Sequence, residues 1–126
     1  MRYCETGPVH LDFHRTLNAT IGYLRTQYGY DFLDSVFRRM AHDVYRSLHE
    51  ALQRGEAKEM VRHWTHFLDR ENGEYKLQRE EETIRLTVHQ CPAIAYLQSR
   101  GHEVDPTFCR QTVVVNNALA EGTPFE

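Results

Sequence analysis

The chain has 126 residues, 40% hydrophobic and 26% charged, a length and balance that suit one globular domain around a single core. A formal net charge of −3, with no lysine- or arginine-rich block, excludes the electrostatic footprint of a nucleic-acid binder. No apolar run reaches membrane-spanning length and no basic-then-apolar leader opens the sequence, so a reducing cytoplasm is the expected setting. Three cysteines, an odd number, argue against a disulfide framework there.

Thr6-Gly7-Pro8 reads as a turn-like entry into a first helix. His10, His14, Leu17, Ile21, Leu24 and Tyr28 then recur at spacings of three and four, which predicts one inward face, and Gly29 supplies the left-handed cap that ends it. Asp31 can cap a second helix with the inward stripe Phe32, Leu33, Val36, Phe37, Met40, Val44, Leu48 and Leu52, closed by Gly55. A third helix is expected over 56–70, with Met60, Val61, Trp64, Phe67 and Leu68 on its apolar side. Asn72-Gly73 stops it. His63 and His66 are expected at its rim.

The period then changes. Tyr75 and Leu77, then Ile84, Leu86 and Val88 after the acidic turn Glu80-Glu81-Glu82, alternate with polar residues. This predicts an antiparallel hairpin with one buried face. A lone hairpin is marginal in water, so it must pack on the helices or pair with a partner chain, and its open edges make a homo-oligomer an expectation. A fourth helix starts at Pro92 and ends at Gly101. Asp105-Pro106 reads as the cap and first position of a fifth, running to about Ala120. The expected architecture is α+β, a single domain over 1–126: an N-terminal helical layer of three helices, an antiparallel β-hairpin and two C-terminal helices.

Cys91 and Cys109 carry the most chemistry. Cys91 stands between a strand and a helix opening with proline, where unpaired N–H groups and the helix dipole favour the thiolate. Cys109, in the first turn of the next helix, has a weaker version of the same setting. The plainer alternative is that both are small buried apolar residues. His10 and His14, one turn apart, can reach one metal ion or one substrate. Together with Cys91 and Cys109 they would form a mixed set of the softness zinc prefers, for which Cys4 could substitute at one position. Asn116 lies two turns after Cys109, on the same face, and could orient a substrate carboxylate or amide. It could equally satisfy a buried backbone group. His89, on the hairpin face opposite Val88, is a general-base candidate if that face lines a pocket and a solvent-facing histidine otherwise.

The segment Leu86-Thr87-Val88-His89-Gln90-Cys91-Pro92, with Phe108-Cys109 and Asn116 downstream, resembles the L-2-amino-thiazoline-4-carboxylic acid hydrolase family. The likeness covers roughly the last two thirds of the chain and is most specific at the cysteines. The helical first half matches only in general character. The resemblance implies hydrolytic opening of a small cyclic amidine to an N-carbamoyl cysteine, with Cys91 and Cys109 in the matching motif. Two mechanisms follow as expectations: attack by the Cys91 thiolate on the amidine carbon, or activation of water by a metal held by the histidine–cysteine set. In outline the chain is also similar to vinyl-reductase-type sensor domains, which implies a non-catalytic module for a small hydrophobic molecule or a metal. A polar pocket with histidines converging on Cys91 would favour the enzyme, and a greasy cavity the sensor.

Overall fold

A computed structural model describes Tyr3, residues 5–7, Val9 and residues 12–125. Its order is α1 (Phe13–Asp43), α2 (Arg46–Gln53), α3 (Ala57–Arg70), β1 (Glu74–Arg79), β2 (Ile84–Gln90), α4 (Pro92–Ser99) and α5 (Arg110–Ala120). This is the expected α+β layout of a helical layer, an antiparallel hairpin and two C-terminal helices. Among the described residues, no helix is long and apolar enough to cross a membrane.

Gly29 interrupts α1 with φ 83° and ψ 177°, a conformation essentially confined to glycine, and the helix resumes at Tyr30. The interruption resets the helical phase. Tyr28 and Phe32, expected to point inward, are therefore exposed and stack on each other, with Tyr23 beside Tyr28. Beyond the break, Leu33, Phe37 and Ala41 form the buried stripe.

The single second helix expected over 31–52 is two. The Met40 carbonyl accepts from both Val44 N and Tyr45 N, the chain turns, and α2 restarts at Arg46. Val44, at this corner, is exposed rather than inward. The core joins these α1 residues and Ile21 to Leu48 and Leu52 of α2, Met60 of α3, Leu97 of α4 and Val115, Ala118 and Leu119 of α5. α1 packs chiefly along α5.

The hairpin is antiparallel as expected, and its register sets Tyr75 opposite Val88 and Leu77 opposite Leu86, so these four side chains share a face. That face is less buried than expected. Tyr75, Leu77 and Leu86 are half-buried, Val88 is 43% exposed, and none of the four belongs to the core cluster. Helix α3 ends at Arg70, Asn72 in the turn beyond it takes φ 56°, and Gly73 then passes close to the start of α4. A Cβ on Gly73 would lie 3.0 Å from a Leu68 methyl and 3.1 Å from Pro92 Cδ, so glycine gives the Cys-Pro step the room to seat closely against the end of α3.

Candidate functional site

Cys91 is the N-cap residue of α4, extended at φ −75° and ψ 120°, with Pro92 in the first turn, as the sequence predicts. It is partly buried and reduced. Cys109 departs from expectation. The last helix begins at Arg110, so Cys109 precedes it instead of lying within its first turn. The Asp105 side chain forms a turn of its own, accepting from Thr107 N (2.9 Å) and Thr107 Oγ1 (2.5 Å).

That turn is fastened to α1. Arg25 donates to Asp105 Oδ2 at 2.9 Å, Asn18 Oδ1 accepts from Asp105 N, and Asn18 Nδ2 donates to the Glu103 carbonyl. Gly22 gives Asp105 the room, since a Cβ there would stand 3.0 Å from its carboxylate. Burial raises the Asp105 pKa, but the hydrogen bonds from Arg25 and Thr107 outweigh it and hold the carboxyl below its ordinary range.

This clamp sets Cys109 near Cys91. The Cys109 thiol is pushed up, by partial burial first and then by the neighbouring Cys91, which opposes rather than favours its thiolate. The helix-start argument therefore fails for Cys109.

His14 is buried, but its partner is not a cysteine. Its Nε2–H donates to Glu71 Oε2 at 2.5 Å, at the end of α3, while its ring packs against Phe13 and Tyr96. Its Nδ1, also buried, has no hydrogen-bond partner among the described residues. His10, like Cys4 and Pro8, lies outside the described residues. Among the described residues, no group of three or more His, Cys, Asp or Glu comes together to hold a metal ion, so His14, Cys91 and Cys109 do not form the expected zinc set. His89 is exposed near the end of β2.

The more enclosed of two hollows lies elsewhere. A cavity of about 550 Å³ opens between α3, the tip of the hairpin and the C-terminal end of α5. Met60, Val61 and Trp64 of α3, Leu52 of α2 and Phe125 give it apolar walls, and Asn116, Asn117, Thr83 and Glu82 bring polar groups. Among the described residues, its lining holds no cysteine, histidine, lysine or arginine. Of the predicted site residues only Asn116 reaches it. Two turns of helix, roughly 10 Å along the axis, separate Asn116 from Cys109 and divide the expected site in two. The sequence reading did not single out Glu71 and read Glu82 only as part of the acidic turn, since no local pattern distinguishes either from its charged neighbours.

No protein-family model, curated protein or solved structure matches the chain.

Proposed function

We propose that the protein is a binding module for a small, largely apolar molecule held in the cavity between α3, the hairpin tip and α5. The observation that carries this is the cavity itself. Its volume lies in the range of small-molecule sites, and its walls are apolar with two side-chain amides, Asn116 and Asn117, for orientation. Neither thiol nor imidazole lines it, which is the composition expected of a binding site without nucleophilic chemistry. Trp64, the sole tryptophan of the chain, stands in its wall, so binding should change the intrinsic fluorescence. A small-molecule screen read by Trp64 emission and by thermal shift tests the proposal. Ligands that raise the melting temperature without moving Trp64 emission would place binding elsewhere and reject it.

A second reading rests on Cys91, partly buried at the start of α4 with Cys109 nearby. Under the resemblance to thiazoline-carboxylate hydrolases, the Cys91 thiolate would add to the amidine carbon and the ring carbon–sulfur bond would break, the substrate sulfur leaving as a thiol. Water would then add to the same carbon of the adduct and expel the Cys91 thiolate, giving the N-carbamoyl product. Cys91→Ser should then abolish ring opening, and intact turnover in that variant would end this reading. The cytoplasmic setting and self-association through the hairpin are carried with both readings.

A further inference from the structure

The ligand-binding reading leaves the chemical class of the ligand open, and the charge of the cavity narrows it. Glu82 is the one ionisable side chain in the lining among the described residues. It stands in the exposed loop 80–83, which is closed by Glu80 N donating to the Thr83 carbonyl at 2.8 Å, and two further carboxylates, Glu80 and Glu81, precede it. Among the described residues, the Glu82 side chain has no ion-pair or hydrogen-bond partner. The charges that do pair, such as Arg54 with Glu56 or Arg25 with Asp105, are not in the lining.

A carboxylate with no counter-cation beside an apolar hollow sets a negative potential there, and low-dielectric walls strengthen it. An anionic ligand would bring a second negative charge with nothing to neutralise either. A cation would supply the missing partner, and the Trp64 and Phe125 rings in the same wall present faces that attract positive charge. The carbonyl oxygens of Asn116 and Asn117 can accept N–H groups from such a ligand.

We propose that the cavity selects molecules with an apolar body and a positively charged nitrogen, the nitrogen lying at the Glu82 end. This inference rests on the binding reading above. It also makes the cavity a poor fit for a thiazoline carboxylate, whose acid group would meet Glu82 unpaired.

The test uses the full chain and three probes of matched size: phenylbutylamine, phenylbutanol and phenylbutyrate, titrated by Trp64 fluorescence and calorimetry at low salt. The amine should bind roughly three- to thirtyfold tighter than the alcohol, the sum expected from one partly exposed ion pair and a cation–π contact, and the acid should bind more weakly than the alcohol. Glu82→Gln should close most of the gap between amine and alcohol. Because Glu82 is exposed and unpartnered, this variant should fold normally. Equal binding of amine and alcohol would overturn the charge inference and leave the cavity reading standing. A gap that survives Glu82→Gln would overturn the role of Glu82. Failure of all three probes to bind would overturn the cavity reading as well.

Discussion

Lowering the pH should destabilise this protein well above the range where its carboxylates protonate, through His63. This side chain on α3 is half-buried among rings. Tyr45 and Phe67 meet it edge-on, and the Tyr3 hydroxyl donates to its Nδ1 at 3.2 Å. Burial first, and the nearby His66 second, lower its pKa from 6.5 to about 4. Because the folded pKa lies below the unfolded one, the unfolded chain takes up the proton first as pH falls. Stability is therefore full above about pH 6.5, declines as pH falls toward about 4, and loses nothing more from this group below that. Across the whole window the loss is about 3 kcal/mol, and about 2 kcal/mol of it falls between pH 7 and pH 5. Asp34, Asp105 and Glu56 also have lowered pKa values, but from ordinary values of 3.8 to 4.5, so their contribution is lost only at lower pH. The assay is urea unfolding at pH 7, 6 and 5 for the native chain and His63→Phe, comparing slopes rather than absolute stabilities. The native chain should lose about 2 kcal/mol more than the variant over this range. Parallel pH dependences for the two proteins would refute a buried neutral His63.

Other substitutions probe the frame of the molecule. Gly29→Ala puts a Cβ on a backbone at φ 83° and ψ 177°, with nothing nearby to clash, so its cost is conformational strain alone, about 1–3 kcal/mol by chemical denaturation. Leu97→Ala empties a fully buried position that ties α4, and with it Cys91, to the core. A loss of about 3–5 kcal/mol is expected, and a loss under about 1 would mean α4 is loosely seated. Cys91→Ser should speed alkylation of Cys109, because it removes one of the two causes that raise the Cys109 thiol. Peptide-level mass spectrometry after brief iodoacetamide treatment reads this, and an unchanged rate would separate the two thiols. Val88→Lys should weaken any self-association through the hairpin, as measured by sedimentation across a concentration series. If the native chain stays monomeric throughout, pairing through the hairpin is ruled out.

The parts of the fold legible in the sequence are those fixed by local chemistry. The hairpin followed from alternation, the start of α4 from Cys91-Pro92, its end from Gly101 and the break in α1 from Gly29. The end of α1 at Val44-Tyr45 was not legible, because neither residue breaks a helix. Tyr45 instead packs beside the core and against His63 on α3, a tertiary contact that overrides propensity. His63 and His66 looked like rim residues for the same reason, since the aromatic partners that bury His63 come from distant segments. Asp105 carried a real capping signal, but its oxygens serve Thr107 and Arg25, which delays α5 to Arg110. The candidate site was half legible. The places of Cys91 and Cys109 at helix starts followed from local signals, whereas the pairing of His14 with Glu71 and the meeting of Asn116 and Glu82 in one cavity lining depend on how the helices meet.

The most direct measurement is a backbone amide NMR titration of the full chain with phenylbutylamine, the probe matched to the cavity's apolar walls and lone carboxylate. A site between α3, the hairpin tip and α5 predicts that the shifted amides cluster at Trp64, Thr83, Asn116, Asn117 and Ala120, with those of Cys91, Cys109 and His14 unmoved. Shifts centred on Cys91 and Cys109 instead would contradict the account and return the functional centre to the thiols.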